Sequence, residues 1–579
     1  MDRRSFLGSS LQRLKVADPT PTDPIKRGEI DPVDKLVNQE LPSVARVSAG
    51  LEPYTGEWGW WQARHLLSRT LFGPKKAEIA KAVEDGLEST IDLLVADWQE
   101  PAAPLNSYFE KDANVAIGET WVEFPLNNED GVFLDGYRRT SLRNWSVGLM
   151  IDQGVSLREK MTLFWFNHFA TESLVVFDQR RMYELVRLFR QYALGDFKTL
   201  VEEVTVSSAM LNYLNGDQNK VGSPNENYGR ELFELFTIGK GPQIGEGNYT
   251  NYTEDDVREA SKVLTGWTHN FYGKTAGRPA GEYKDNRHDK STKNFSAAFD
   301  FQTIENAGEE EYKLLIDMIF GKVETARYIC RKLYRWFCYY VIDEATEQFV
   351  IEPMAQLLVA NNYNIKPVIR ALISSAHFFD NENIGAMIKS PIDYVLALPR
   401  VTEAEMPGLE NVTYQYSLWN FYFSESAKME QSLLDPPSVA GWNAYYQEPA
   451  FYQIWISSPT LSNRQFYSDI VSRENGKKIS DDIFLTVDVF KFLNKVSDAS
   501  DPNVLVSEWT ELLLPVSMPE SQRTMLKDVL IPGLPDFEWT EEYVLYITDP
   551  SDEEVKKAVE SKLRALLQAI ISLPEFHLM

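Results

Sequence analysis

Residues 225–239 read NENYGRELFELFTIG and bring Asn225, Glu226, Asn227, Arg230, Glu231 and Glu234 close together. At about 100° per residue, Glu226, Asn227, Arg230, Glu231 and Glu234 share one helical arc of roughly 140°, opposite Tyr228, Leu232, Leu235 and Phe236. Two chemistries fit such a face. On a solvated helix, Glu226 with Arg230 and Arg230 with Glu234 form i,i+4 pairs worth only about 0.2 to 0.5 kcal/mol each. Buried in a cleft, Arg230 would hold one carboxylate ionised and leave another perturbed. General acid and base work needs that separation, with Glu231 or Glu234 as the acting group. Asn225, Glu226, Asn227, Arg230 and Glu231 are therefore the candidate polar-cleft residues, and Glu231 and Glu234 the candidate catalytic carboxylates.

Two histidine segments could assist. In REKMTLFWFNHFAT, helical spacing puts His168 on the side of Met161, Phe164 and Trp165, so a hydrogen-bonded core imidazole competes with an acid or base role. In RHDKSTKNF, His288 and Asp289 stand in a polar loop that could fold over a site. For hard cations, LNGDQNKVGSPNENYGRE offers Asp217, Asn219 and Glu226 as oxygen ligands, a set compatible with calcium but without the spacing of an EF-hand. The sequence contains no HExxH, paired CxxC, GxSxG, Walker loop or dinucleotide fingerprint. No cofactor is expected.

The elements that must position these residues are helical. WWQARHLLSRTLFG, KAEIAKAVEDGLESTIDLLVADW, SLREKMTLFWFNHFAT and the long stretch from Arg181 to Leu214 carry helical periodicity, while strand signals are few and short. The expected fold is mainly α, a multi-helix globular architecture with long loops and little β-structure. Gly239 and Gly241 end the opening helix. In YTEDDVREASKVLTGW, Thr253 and Asp256 stand at capping-box spacing and predict a helix start. Residues 269–302 read as a long polar loop or small hairpin. Pro436 and Pro437 forbid a continuous helix through DPPSVAGWNAYY. Three regions are expected: an extended arm over 1–57, a helical core over 58–385 and a second helical region over 386–579. VIRALISSAHFFD and the terminal LLQAIISLPEFHLM echo each other, as two related helical units would.

Composition bounds the partners. The 579 residues include 58 Lys and Arg against 85 Asp and Glu, a formal charge of -27, and that field repels phosphate backbones. Nucleic acid is excluded as an expected partner. The two cysteines, Cys330 and Cys338, lie eight positions apart on an expected helix, about 12 Å of rise, which is too far to bridge. No stretch is long and apolar enough for a transmembrane helix. MDRRSFLGSSLQRLKV places Arg3, Arg4, Phe6 and Leu7 as a twin-arginine export signal would. Gln12, Arg13 and Lys15 interrupt the apolar stretch that should follow. The location is expected to be extracytoplasmic or envelope-associated, with the cytoplasm left open by the incomplete signal.

ARHLLSRTLFGP, FWFNHFAT, NENYGRELFELFTIG, YTEDDVREASKVLTGW, HDKSTKNF, IKSPIDYVLAL and DPPSVAGWNAYY occur in that order. Together they resemble the bacterial domain-of-unknown-function 1800 family from about residue 58 to the end. The resemblance implies a mostly helical protein of bacteria with elaborate envelopes and a sulfatase-like companion protein. It also shows two departures: Phe236 stands where family members commonly have a histidine, and HDKSTKNF replaces a glycine-bearing form of the His-Asp loop. Asn225, Glu226, Asn227, Arg230 and Glu231 match the family motif residue by residue. The reading that follows is an exported or envelope-associated binding or assembly component acting with a partner protein or glycan. The alternative is a hydrolase of an envelope or extracellular polymer using Glu231 or Glu234, assisted by His168, His288 and Asp289.

Overall fold

REKMTLFWFNH, the segment before Phe169, is buried along its whole length apart from Asn167. A helix enclosed on every side is an interior helix, and others must wrap it. The computed structural model describes residues 49–108, 112, 114–126, 133–269, 276–406, 408–479 and 484–579. Residues 1–48 of the expected arm and 270–275 of the expected loop lie outside the described residues. The fold is mainly α. Among the described residues the sheets are two-stranded antiparallel ladders only. The helices that matter below are α1 (Trp60–Thr70), α2 (Leu134–Asp152), α3 (Arg158–His168), α4 (Gln179–Gln191), α5 (Glu226–Glu231), α6 (Glu254–Val263), α7 (Val323–Phe337), α8 (Pro391–Val401), α9 (Val412–Lys428) and α10 (Glu553–Ile571).

The polar start of α3 is buried with its charges paired. Glu159 meets Arg190 of α4, Lys160 meets Asp393 of α8, and the Arg158 guanidinium lies 3.6 Å from the Trp98 ring centre. Pairing is what makes buried charge tolerable. At the other end, Asn167 Oδ1 accepts from the Trp442 amide at 2.9 Å, which seats the DPPSVAGW segment on α3. As Pro436 and Pro437 require, that segment is not helical. Its Asp435 carboxylate accepts from Arg143, from the Ser173 hydroxyl at 2.9 Å and from the Leu174 amide at 2.9 Å.

Alongside this interior run α2 and α9. They approach at Gly148, where a Cβ would come within 2.5 Å of the Trp419 ring, so the absence of a side chain sets the spacing of the pair. The capping box at α6 forms as the spacing predicts: the Thr253 amide donates to Asp256 Oδ2 at 2.8 Å and the Asp256 amide to Thr253 Oγ1 at 3.3 Å. The region from Trp267 onward holds a hairpin of Trp267–His269 with Gly281–Tyr283 and a ladder of Lys293–Asn294 with Thr303–Ile304. Cys330 and Cys338 are both free and buried. No helix among the described residues is long and apolar enough to cross a membrane.

The described residues, from Ala49 onward, form one unit. Within it, a segment near the start of each expected helical region pairs with the segment behind that region's last helix. Pro53 bridges Ser375, just beyond the helix Ile365–Ile373, and Ile388 bridges Leu578, beyond α10. These closures fall on the two segments whose sequences echo each other. The regions 58–385 and 386–579 meet through Lys160 with Asp393 and through the pairing of α2 with α9.

Candidate functional site

The NENYGRE motif is a clasp built by helix ends. Asn225 caps α5, its side-chain oxygen accepting from the Asn227 amide at 3.0 Å. The Asn225 amide donates to Asn219 Oδ1 at 2.9 Å, and the Asn219 amide group donates to the Ser261 carbonyl of α6 at 2.8 Å. Asn219 is buried, with both ends of its amide engaged. Arg230 makes a two-pronged bond to Glu254, at 2.6 and 2.7 Å, and reaches Glu226 at 3.2 Å. Those bonds raise the guanidinium above its ordinary value and hold Glu254 below the usual carboxylate range. The motif thus ties α5 to the start of α6, in a half-exposed setting.

The helix expected over 225–239 runs unbroken from Glu226 to Thr237 but is not α-helical throughout. After Glu231 the chain widens into a π-helical turn, Leu232–Thr237, because side chains from other helices take the carbonyls of this stretch. The Tyr328 hydroxyl donates to the carbonyls of Glu234 and Leu235 at 3.2 and 3.1 Å. Lys332 Nζ donates to the Leu235 carbonyl at 3.0 Å, and His168 Nε2 to the Phe236 carbonyl at 2.9 Å. Thr237 Oγ1 donates to Leu232 five residues back at 2.5 Å. The polar arc is consequently split. Glu231 is buried, and Asn227 is exposed. Burial raises the phenols of Tyr213 and Tyr328, and the Glu231 carboxylate adds to both. Glu234 meets Lys240 at 2.6 Å and accepts from Tyr252 at 3.3 Å.

His168 is fully enclosed. Its Nε2 donates to a carbonyl, so its Nδ1 is the acceptor facing Lys332 Nζ at 3.2 Å. Burial, then Lys332, push the imidazole well below its ordinary value, and burial with Arg335 nearby brings Lys332 down to about 7. His168 therefore stands at the last turn of the motif segment as a neutral imidazole.

His288 is buried at the other end of α6. Its Nδ1 faces the Thr265 carbonyl at 2.8 Å and its Nε2 faces Glu311 at 2.9 Å, with Lys293 completing a buried trio. Burial lowers this imidazole, but the bonds to Glu311 and the Thr265 carbonyl together with the Glu311 charge outweigh it, and the net shift is upward. Asp289 accepts from the Ser291 amide at 2.9 Å and hydroxyl at 2.5 Å, which overcomes its burial and holds the carboxyl below its ordinary range. Asp217 faces His269 at 3.3 Å, and its carbonyl accepts from Arg287 at 2.5 Å. The structure thus brings His168 to the end of the motif segment, His288 and Asp289 to Thr265, and Asp217 to the hairpin.

Sequence reasoning missed an open groove of about 560 Å³ between α2 and α9. Tyr137, Thr140 and Asn144 face it from α2, and Thr413, Ser417, Asn420 and Ser424 form its wall on α9. That hydroxyl and amide stripe, at i, i+4, i+7 and i+11 in VTYQYSLWNFYFSESAK, is the signal that could have revealed it. At one end Tyr108 and Tyr137 stack at 5.4 Å with planes 15° apart. Asn144 Oδ1 and Glu425 Oε2 are buried without a protein hydrogen-bond partner beneath this face, and Glu425 Oε1 accepts from Lys428 at 2.7 Å. The accessible face combines hydroxyl and amide groups with stacked tyrosines, an arrangement that suits a ligand carrying both hydroxyls and an apolar face.

No curated protein and no solved structure matches the chain significantly. The family model described as protein of unknown function (DUF1800) matches residues 65–578, a span that contains the clasp and both long walls of the groove, and the chain belongs to that family.

Proposed function

We propose that this protein is a glycan-binding component, exported or held at the cell envelope, that engages saccharide chains in the groove between α2 and α9. The observation carrying this reading is the stripe of hydroxyl and amide groups, Thr140, Thr413, Ser417, Asn420 and Ser424, that lines the groove together with the Tyr108 and Tyr137 stack. Sugar hydroxyls exchange hydrogen bonds with such groups, and sugar C–H faces pack on tyrosine rings. The clasp around Arg230 serves as framework, since its guanidinium is engaged by Glu254 and Glu226. A sulfatase-like companion, implied by the family resemblance, is the partner to which such a component would present its glycan.

The hydrolase reading has less support. Among the described residues the groove lining contains one carboxylate, Glu425, whereas glycoside hydrolysis generally uses a pair flanking the bond. The test is equilibrium binding to a panel of neutral and acidic oligosaccharides, with Tyr137→Ala and Asn144→Leu as variants. Binding by the wild type, weakened about tenfold by Tyr137→Ala through loss of roughly 1.4 kcal/mol of ring contact, is expected. Failure of every oligosaccharide to bind folded wild type, or variants binding as tightly as wild type, would overturn the reading.

A further inference from the structure

A second cavity, of about 20 Å³, lies between α1 and α8, lined by Arg64, Ser68, Lys389, Asp393, Phe576 and Met579 among others. Five cations are buried in this neighbourhood: Arg64, Arg69, Lys160, Lys389 and Arg464. Their fields reach one another or Asp393, the carboxylate they share. Asp393 is bonded directly to Lys160 and accepts from the Ser390 hydroxyl at 2.8 Å.

The other four cations donate to neutral oxygens. Arg64 reaches the Leu512 carbonyl at 3.3 Å, Arg69 those of Cys338 at 3.3 Å and Asn383 at 2.6 Å. Lys389 reaches the Phe576 carbonyl at 2.7 Å and Arg464 that of Lys389 at 2.8 Å. The Nε groups of Arg64, Arg69 and Arg464 are buried without a partner. Several other interior cations sit directly against an opposite charge, as Arg138 with Asp112 and Arg180 with Asp178. Buried charge without a counter-charge is what proteins avoid.

We propose that the cavity between α1 and α8 is a binding site for one small monatomic anion, a halide, held by Arg64 and Lys389 with the Ser68 hydroxyl. Its volume suits an occupant of this size, since about 10 to 15 Å³ of such space already accommodates a water. Carboxylates, phosphate and sulfate are too large for it. Burial also depresses the basicity of Arg64 and Lys389, a penalty that a bound anion relieves.

Two measurements on the full-length protein decide this. In the first, Tm is followed as sodium gluconate is exchanged for sodium chloride or bromide at constant ionic strength. A saturable rise of roughly 1 to 2 °C with halide is expected, lost in Arg64→Met. In the second, crystals soaked in sodium bromide are measured at the bromine absorption edge, and an anomalous peak is expected between Arg64 and Lys389. That measurement needs only the wild type, so it stands even where Arg64→Met does not fold. A Tm indifferent to halide together with no peak at the cavity overturns the proposal. A peak there without any halide dependence of Tm marks an adventitious ion only, and overturns it as well.

Discussion

Replacing Gly148 by alanine pits two effects of known size against each other. Alanine in a helix interior is favoured over glycine by about 1 kcal/mol, and Gly148 lies well inside α2. Against this, the new Cβ would lie 2.5 Å from Trp419 Cε2 and Cζ2 and 2.7 Å from Cη2. The indole is rigid, nearly fully buried and wedged beside Tyr416 at 4.8 Å between ring centres, so relief requires α2 and α9 to move apart. Overpacking of this kind costs typically about 1 to 3 kcal/mol. Since the contact is with ring atoms rather than a flexible chain end, the upper part of that range applies. The net expectation for Gly148→Ala is a loss of about 1 to 2 kcal/mol. Urea denaturation followed by tryptophan fluorescence measures it as a lower midpoint at unchanged slope. Because Gly148 sets the spacing of the two helices that wall the groove, saccharide affinity should fall with it. A variant as stable as wild type, or more so, would show that helix propensity wins and that the two helices are not in close contact at Gly148.

Three further outcomes are expected. Asp435→Ala strands Arg143, which is largely buried, and should cost about 3 to 5 kcal/mol; a loss under 1 kcal/mol in the same denaturation assay would show the DPPSVAGW segment is held by other contacts. Arg230→Met breaks pairs with Glu226 and Glu254 whose side chains are 25 to 42% exposed, so screening limits the loss to about 1 kcal/mol, and saccharide binding should be unchanged. The pH dependence follows from the buried histidines. Burial drives His65 and His168 well below 6.5, lowers His377 and brings His577 down to about 3. Above about 6.5 these imidazoles are neutral in both states and contribute nothing; below it the unfolded chain binds protons that the folded chain cannot, so stability falls with pH toward the folded values. With four such groups the slope approaches about 5 kcal/mol per pH unit. His288, raised by Glu311, has the opposite sign: it stabilises below 6.5, and that contribution is lost as pH rises through its folded value. Urea midpoints that stay flat from pH 6.5 to 5 would contradict the buried placement of the four lowered histidines.

Much of the local structure was legible because its causes are local. Thr253 and Asp256 satisfy helix-end donors within one turn, so their spacing alone predicts the start of α6. Pro436 and Pro437 interrupt helix wherever they stand. The helical rise between Cys330 and Cys338 rules out a bridge, and both thiols are free. The apolar side that carries His168 likewise foretold a hydrogen-bonded interior imidazole. Where the reading went astray, the deciding partner was distant. No feature of NENYGRELFELFTIG shows that Tyr328, Lys332 and His168 take its carbonyls and widen its last turn. Nor does RHDKSTKNF reveal that Glu311, which lies beyond it, pairs with both His288 and Lys293.

The sequence by itself determined the mainly helical class, the family, the capped starts and broken ends of particular helices, and a composition hostile to nucleic acid. Those follow from dihedral preference, periodicity and net charge, which are properties of a residue and its near neighbours. Tertiary structure alone decided which charges are paired, which carbonyls are taken by side chains, and where the polar stripe of α9 meets α2 in an open groove. Asn144 and Glu425 each look ordinary on their own helix. They form one groove only because Gly148 lets α2 settle against Trp419 of α9, and contact between helices so far apart in the chain is set by packing rather than by any local signal.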